Sequence, residues 1–375
     1  MNIKKTHYTT IWLQDESSGK IRIIDQRFLP FELCFKDIDT LSGMYEAIHD
    51  MLLRGAPLIG VAGAFGMYLA IRNMPCNKTK SFDGEYLANA ARMLVSSRPT
   101  AINLKWAVER VIATVTKGKT IEEKSRLALE EAQKIRQEEM ENCRLIGVYG
   151  LPLIEKIAAL KPGKSVNILT HCNAGWLACI DWGTATAPIY MAHDSGIPVH
   201  VWVDETRPRN QGARLTAFEL GEHGVPHTVI PDNAGGHLMQ HGLVDMVIVG
   251  SDRTTRTGDV CNKIGTYLKA LAAADNNIPF YVALPRSSID FSIKNGVEEI
   301  PVEERDATEV HYVEGLLDGE VKNVRITPEK SKAANYGFDV TPARLVTGLI
   351  TQCGICSADE TNISRLFPDA SRATH

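Results

Sequence analysis

The second half of the chain contains five short, almost wholly apolar segments that are separated by longer stretches with helical or polar character. Each segment is rich in β-branched residues and has the usual length of a buried strand. Strands of this kind that alternate with helices form a parallel sheet covered on both faces. The pattern therefore predicts an α/β fold with strands at residues 166–170, 199–203, 227–230, 246–250 and 280–284.

The first half follows a different pattern. Helical periodicity runs over residues 39–74 with a break at Pro57, and residues 120–146 have the charge and apolar alternation of a long amphipathic helix. Within the first of these segments, glycines recur every three residues and should let another backbone approach closely. We therefore expect a smaller, mostly helical α+β domain before the sheet domain. The predicted domains cover residues 1–150 and 151–375.

Composition and charge exclude several classes of protein. The chain of 375 residues carries 41 basic and 45 acidic side chains, a net charge of −4, which gives no general attraction to nucleic acid or to an anionic membrane. The N-terminus lacks the apolar core of a secretory signal, and the longest apolar run, at residues 57–71, is too short to span a bilayer. We expect a cytoplasmic protein.

Several cofactor and metal motifs are missing from the sequence. No G-x-G-x-x-G follows the first strand of the predicted sheet, and no P-loop is present, so we expect no nucleotide cofactor. Eight irregularly spaced cysteines do not form a disulfide framework. The C-x-x-C of Cys353 and Cys356 lacks the second pair that a zinc site needs. We predict reduced thiols and no metal.

Polar residues follow all five predicted strands. The carboxyl ends of parallel strands meet at one edge of a sheet, and ligands bind in the crevice beyond that edge. The residues after the strands are polar, titratable or turn-forming in every case, which predicts an active-site cleft to which all five strand ends contribute. These segments are residues 171–175, 204–208, 231–234, 251–253 and 285–288.

Two of these residues are candidates for catalysis. Cys172 precedes an apolar stretch, residues 174–182, which we expect to be helical, and the dipole of a helix at that place would lower the thiol pKa. Asp252 follows an apolar strand, where burial would raise its pKa and suit it as a general acid. Alternatively, Cys172 is a buried core residue with no catalytic role, and Asp252 caps the next helix or forms an ion pair with Arg253.

Three further segments suit an anionic ligand. Residues 54–57 place an arginine and a turn immediately before a predicted helix, where free N–H groups favour anions. Arg98 stands in a similar Arg-Pro turn, and Lys263 could reach a phosphate as a point charge. Each feature alone is common in loops.

Taken together, these segments form a series of long motifs in a fixed order along nearly the whole chain. The series resembles the methylthioribose-1-phosphate isomerase family, whose superfamily also contains regulatory subunits of the translation-initiation exchange factor. The motifs are RGAPLIGVAG (54–63), SSRPTAINLKWA (96–107), THCNAGWLA (170–178), VDETRPRNQGARLTAFEL (203–220), VGSDRTTRTGDVCNKIGT (249–266), IPVEERD (300–306) and NYGFDVTPARLVTGLIT (335–351).

The resemblance implies a Rossmann-like C-terminal domain, a smaller N-terminal domain and a homodimer. It also implies an aldose–ketose isomerase, without a cofactor, that converts 5-methylthioribose 1-phosphate to 5-methylthioribulose 1-phosphate in methionine salvage. Cys172 and Asp252 would be the catalytic pair. The residues implied to bind the substrate are Arg54, Gly55, Ala56, Arg98, Gln211, Asn262 and Lys263.

The chain departs from the family pattern in three places. Trp176 replaces a small residue, Ser251 replaces alanine, and Tyr336-Gly337 stands where Pro-Ala is usual. If Trp176 narrows the pocket for the C5 substituent, 5-deoxyribose 1-phosphate becomes an alternative substrate; otherwise the indole packs against a neighbouring element.

Two other functions remain open at this point. A non-enzymatic regulatory subunit would share the fold but would not need both Cys172 and Asp252. A ribose-1,5-bisphosphate isomerase would need a second phosphate site, which the sequence does not reveal.

Overall fold

The computed structural model describes residues 1–74 and 84–369. In the first half, short strands precede a group of helices, as the sequence predicts, and the third, fourth and fifth strands form an antiparallel sheet. The elements are the strands β1 (Asn2–Ile3), β2 (Thr6–His7), β3 (Ile11–Leu13), β4 (Ile21–Asp25) and β5 (Cys34–Ile38), and the helices α1 (Leu41–His49), α2 (Ala56–Arg72), α3 (Gly84–Ser96), α4 (Ile102–Val115) and α5 (Ile121–Leu160).

Helix α2 lies at the centre of this half, and every residue from Ala56 to Ile71 is buried. Its glycines allow the close approach that the sequence predicts. A Cβ atom added at Gly60 would lie 3.0 Å from the carbonyl oxygen of Asn103 in α4, and one at Gly63 would lie 2.4 Å from a methyl carbon of Leu104. This packing fixes the first turn of α2 relative to the rest of the molecule. In the two ranges that the structure describes, no helix has both the length and the hydropathy needed to cross a bilayer.

The second half alternates strands with helices. A π-helical turn at Gly212–Thr216 leads into the seventh helix. The elements are β6 (Val166–Thr170), α6 (Ala187–Asp194), β7 (Val199–Asp204), α7 (Ala217–His223), β8 (His227–Ile230), α8 (Ala234–Gln240), β9 (Met246–Val249), β10 (Arg253–Thr255), β11 (Val260–Lys263), α9 (Thr266–Asp275), β12 (Phe280–Ala283), β13 (Ile289–Asp290), α10 (Gly296–Glu299), α11 (Thr308–His311), β14 (Tyr312–Leu317), β15 (Glu320–Arg325), β16 (Phe338–Thr341), β17 (Gly348–Thr351), β18 (Gly354–Cys356) and α12 (Glu360–Leu366).

The large sheet has the strand order β18-β17-β12-β9-β6-β7-β8, and its strands are parallel except for the terminal pair β17–β18. The predicted Rossmann-like parallel sheet is therefore confirmed. The first strand of the domain, β6, lies between β7 and β9, so the chain reverses its direction of progress at β6 and β9. In sheets of this kind the ligand crevice opens at that point. The residues that follow these two strands include Cys172 and Asp252.

One predicted helix is wrong. Residues 171–186 form a loop that contains a three-residue turn at Trp176–Ala178, and the helix begins only at Ala187. The apolar spacing of this segment suggests a helix, but Ile180, Trp182 and Gly183 have positive φ angles of 75°, 64° and 86°. Left-handed residues interrupt a right-handed helix.

Helix α5 is longer than predicted and extends through residue 150, the expected domain boundary. Its N-terminal part contributes Ala128 and Ile135 to the core of the first half. Its C-terminal part contributes Ile146 and Ile154 to a core that also contains residues of β6 and β7. The two halves therefore share one continuous helix.

Candidate active site

A cavity of about 560 Å³, including its open mouth, lies at the crevice between β6 and β9. It is formed by the start of α2, the loops after β6 and β9, and the end of β11. All nine residues singled out from the sequence line this cavity. They are Arg54, Gly55, Ala56, Arg98, Cys172, Gln211, Asp252, Asn262 and Lys263.

Cys172 is held in an unusual backbone conformation at the end of β6, with φ at 66°. Its N–H donates to the hydroxyl of Thr206 at 2.9 Å, and its carbonyl accepts from the hydroxyl of Thr216 at 2.7 Å. Burial raises the thiol pKa, while the charges of Arg54 and Lys263 act in the opposite direction. The expectation that the following segment lowers this pKa through a helix dipole is wrong, because the residues after Cys172 form a loop and burial raises the pKa.

Asp252 lies in the loop after β9, where its N–H donates to the carbonyl of Cys261 in β11 at 3.0 Å. Burial raises the pKa of the Asp252 carboxyl, and the nearby Lys263 partly offsets this effect. The alternative ion pair with Arg253 does not form, because that guanidinium binds Asp290 at 2.5 Å. The raised pKa agrees with the sequence expectation for a general acid.

Two cations face the buried acid from other elements. Arg98 donates to Glu303 at 3.0 Å through Nε, while its buried Nη1 has no hydrogen-bond partner in the described chain. Lys263 lies with its ammonium 4.3 Å from the centre of the Phe338 ring, and burial lowers its pKa. Both groups keep donor capacity for an anion in the cavity.

The start of α2 provides backbone donors beside these cations. Gly55 has φ at 111°, and a Cβ atom there would lie 2.4 Å from the Cβ of Ala178, so only glycine fits. No side chain caps this helix N-terminus at Gly55, which leaves the N–H of Ala56 available to a ligand. Arg54 donates to the side-chain and main-chain oxygens of Asn173 at 2.5 and 2.7 Å.

Gln211 and Asn262 complete the polar lining. The side-chain oxygen of Gln211 is buried and has no partner among the described residues. Asn262 donates its amide to the hydroxyl of Thr266 at 3.0 Å. An unpaired buried polar atom costs stability, so its presence in a native site points to a ligand contact.

The strand-end prediction was too broad. The segments after β7, β8 and β12 do not line the cavity, which opens at the ends of β6 and β9. Two lining or supporting residues were missed, although both stand in the quoted motifs. Phe338 contacts Lys263, and Glu303 binds Arg98. No sequence signal marks this pair, because Glu303 and Arg98 are 205 residues apart along the chain.

Beside the cavity, His171, Asp204 and Asp232 have potential ligand atoms within 4.8 Å of one another. The arrangement does not fit a metal ion. The ammonium of Lys269 lies 3.2 Å from the Asp204 carboxylate and contacts the carbonyl of Asp232. Two backbone N–H groups already donate to the Asp232 side chain. The Lys269 ammonium therefore lies where a metal ion would have to bind.

Of the three departures from the family pattern, Ser251 alone lines the cavity, whereas Tyr336 and Gly337 do not and Tyr336 is exposed. Trp176 is 1% exposed, belongs to the core that includes Leu215 and Tyr190, and does not line the cavity. Ser251 lines the cavity and shares a hydrogen bond with Thr254 at 2.8 Å.

Known proteins resemble this chain over its whole length. A relative from Desulfatibacillum aliphaticivorans, named methylthioribose-1-phosphate isomerase, is 58% identical over 98% of this chain and 99% of its own. The chain belongs to the methylthioribose-1-phosphate isomerase family. Residues 52–358 also match the model of the wider initiation factor 2 subunit family. The resemblance inferred from the motifs is thus confirmed.

Solved structures support the same placement. The 5-methylthioribose 1-phosphate isomerase of Pyrococcus horikoshii OT3 matches with a TM-score of 0.79 and 37% identity, covering 98% of this chain and 99% of that one. A protein of A. fulgidus, named translation initiation factor eIF-2B subunit delta, matches with a TM-score of 0.74 and 36% identity, covering 96% and 100%. Members of the isomerase family and of the initiation-factor family therefore share this fold.

Proposed function

We propose that the chain converts 5-methylthioribose 1-phosphate to 5-methylthioribulose 1-phosphate, with Cys172 and Asp252 as the catalytic pair. One observation carries the proposal. In a chain that is 58% identical to a named isomerase, a buried thiol and a half-buried carboxyl line one cavity with three cationic side chains. The reaction moves hydrogen within one molecule, so it needs no redox cofactor. We further propose that the enzyme is a cytoplasmic homodimer that acts in methionine salvage.

The cations and the start of α2 would hold the substrate phosphate. Arg54, Arg98 and Lys263 converge on the cavity, and the N–H of Ala56 points from a long helix N-terminus. A phosphate held at several points fixes the sugar ring against the catalytic groups, which lowers the entropic part of the barrier. Gln211 and Asn262 would bind the sugar hydroxyls through their amides.

Asp252 would act first, as the acid that opens the ring. The phosphate on C1 prevents simple opening to a free aldehyde, so the ring oxygen must take a proton as its bond to C1 breaks. The raised pKa of Asp252, caused by burial, favours the protonated carboxyl that this step needs. After the step, the carboxylate can accept the proton of the C2 hydroxyl as C2 becomes the carbonyl.

Hydrogen must then move from C2 to C1, and two routes are possible. The Cys172 thiolate could take the proton and return it to C1 through an enediol, or the hydrogen could move directly as hydride. Burial raises the pKa of the Cys172 thiol, whereas the charges of Arg54 and Lys263 act to lower it, so the proton route depends on these two cations. In D2O, deuterium at C1 of the product would support proton transfer, whereas its complete absence would support hydride transfer.

The decisive experiment is an assay of the wild type and Cys172→Ser with three substrates: 5-methylthioribose, 5-deoxyribose and ribose 1-phosphates. We expect the highest kcat/KM for the methylthio sugar, and a loss of about 10³-fold in Cys172→Ser. Cys353→Ser is the matched control, because Cys353 is exposed and does not line the cavity. A wild type that is inactive on all three sugars would reject the isomerase and favour the regulatory subunit.

A further inference from the structure

Glu219 is a buried carboxylate behind the Cys172 loop, and it does not line the cavity. It lies in α7 and is 1% exposed. Four donors from the loop after β6 and from α6 converge on its two oxygens. Oε1 accepts from the Asn173 side chain at 3.1 Å and from the Leu177 N–H at 2.8 Å, and Oε2 accepts from the Trp176 N–H and the Tyr190 hydroxyl, both at 3.1 Å.

The loop is folded closely around this carboxylate. A Cβ atom added at Gly175 would lie 1.6 Å from the Glu219 oxygen Oε2, so the backbone at this place must be glycine. Every group that contacts the two oxygens is a donor, and two of these donors are backbone N–H groups that cannot change roles. The four donors therefore favour the ionised carboxylate, and a proton on Oε2 would have to reverse the hydrogen bond with the Tyr190 hydroxyl, the donor there that can change roles.

Glu219 also determines how Asn173 presents its amide. The Asn173 nitrogen donates to Glu219 and to the Thr216 hydroxyl, which turns its oxygen toward the Arg54 guanidinium. The same Thr216 hydroxyl donates to the carbonyl of Cys172. Glu219 is thereby connected to Arg54 through the Asn173 side chain. The same side chain and the Thr216 hydroxyl connect Glu219 to the Cys172 carbonyl.

We propose that Glu219 is a positioning residue of the isomerase, which holds Arg54 and the Cys172 loop in the geometry needed for turnover. This inference rests on the proposed function. It gives a role to a residue that touches neither the cavity nor the substrate. Because Glu219 acts through Asn173, its removal should misplace both Arg54 and the thiol by a small distance, and small displacements in an active site reduce turnover strongly.

The protonation of Glu219 gives a second readout. Burial raises its pKa to about 7, although the hydrogen bonds from Asn173 and Leu177 and the charge of Arg54 oppose this effect. Tyr190 and the α-amino group of Met1 are the other titratable groups near it. A protonated Glu219 would lose the negative charge that the Asn173, Leu177 and Trp176 donors bind and would reverse its hydrogen bond with Tyr190, so kcat/KM should fall as the pH decreases through about 7.

The test is Glu219→Gln, with Glu139→Gln as the matched control. Glu139 is another buried glutamate with a pKa raised by burial to about 7, but it binds Ser287 and Asn142 away from the cavity. We expect Glu219→Gln to lose about 10²-fold in kcat/KM and to lose the acid limb of the pH profile. Glu139→Gln should keep kcat/KM within about threefold and keep that limb.

A double-variant cycle with Asn173→Ala separates positioning from general stability. If Glu219 acts through Asn173, the double variant should be little worse than either single variant, because both break the same connection. Losses that multiply in the double variant, or a Glu219→Gln that behaves like Glu139→Gln, would overturn the inference. If Glu219→Gln does not fold, Asn173→Ala provides the test. The proposal is overturned if Asn173→Ala keeps both the wild-type kcat/KM and the acid limb of the pH profile. A wild type without isomerase activity would instead reject the proposed function.

Discussion

Two groups of buried and half-buried charged residues lie side by side at the carboxyl end of the large sheet, and they differ in how their charges are compensated. In the group that we name the sheet-end cluster, each charge has a protein partner at hydrogen-bond distance. In the cavity cluster, the thiol and the carboxyl face cations across a cavity. The sheet-end cluster is His171, Asp204, Asp232 and Lys269, and the cavity cluster is Arg54, Arg98, Cys172, Asp252 and Lys263.

This difference distinguishes charged residues that stabilise the fold from nearby charged residues that take part in the reaction. Burying a charge is costly unless it is paired, so a paired cluster is stable in the free protein. The cavity cluster keeps a raised pKa at Asp252 and a lowered pKa at Lys263, both caused by burial. Charged groups whose pKa values are shifted by burial lower the stability of the folded protein, and such groups are typical of functional sites.

The largest expected effect contrasts two aspartates, one from each cluster. Asp252→Asn should reduce kcat by about 10³-fold, because the amide cannot supply a proton to the ring oxygen. Asp204→Asn should instead reduce the free energy of unfolding by about 3–5 kcal/mol, since it leaves the Lys269 ammonium buried without its carboxylate. Steady-state kinetics and urea unfolding of both variants measure the two effects. A folded, inactive Asp204→Asn alongside an active Asp252→Asn would reverse our assignment.

Two lysines provide the next comparison. Lys263→Met should reduce kcat/KM by about 10- to 10²-fold, because one charged contact to the phosphate is lost. Most of this loss should appear in KM. Lys269→Met should leave KM nearly unchanged and lower the midpoint of thermal unfolding, since Lys269 contacts Asp204 and Asp232 rather than the cavity. An unchanged KM in Lys263→Met would remove this residue from the phosphate site.

The distinction between the clusters was only partly predictable from the sequence. Apolar strands fix their own positions within a residue or so, and the ends of β6 and β9 therefore identified Cys172 and Asp252. The sheet order was not predictable from these runs, so all five strand ends appeared equivalent. Gln211 came only from the family resemblance, because it follows a turn with no chemical signal of its own.

Buried charges on helices were the hardest residues to identify. Glu219 and Lys269 stand in helical segments where a charged residue normally faces water, and their burial follows from packing that no local pattern encodes. The loop after β6 was mistaken for a helix for a related reason. Its apolar residues have helical spacing, whereas its left-handed backbone depends on contacts with distant residues such as Glu219.

Trp176 sharpens the comparison between the cavity and the core behind it. Because the indole packs in the core and does not line the cavity, Trp176→Phe should reduce the free energy of unfolding by about 2 kcal/mol. The ratio of kcat/KM for methylthio and deoxy sugars should change by less than about twofold. Chemical denaturation and paired assays measure these quantities. A shift in substrate preference without loss of stability would show that the indole does shape the C5 pocket.

The smallest effect concerns the cost of the cavity cluster to stability. Burial raises the pKa of Asp252 above its ordinary value, so the unfolded chain ionises first as the pH rises. The free energy of unfolding must therefore decrease from the ordinary carboxyl pKa up to the folded-state pKa. Asp252→Asn removes this penalty and should gain about 1 kcal/mol at pH 8, a gain that disappears toward pH 4.

Asp290 gives the control of opposite sign for this measurement. Burial acts to raise its pKa, but hydrogen bonds from Ser292 and Arg253 outweigh burial and lower it. The ionised Asp290 therefore stabilises the fold above its ordinary pKa, and that contribution is lost as the pH falls through the lowered value. Asp290→Asn should lose stability at pH 8, where Asp252→Asn gains it. At pH 8, urea unfolding of the two variants should diverge from the wild type in opposite directions, and only the Asp252→Asn difference should shrink toward pH 4, because the Asp290 contribution is lost below the ordinary carboxyl pKa. If both variants diverged in the same direction, the Asp252 charge would be compensated by its neighbours, and Asp252 would not lower the free energy of unfolding.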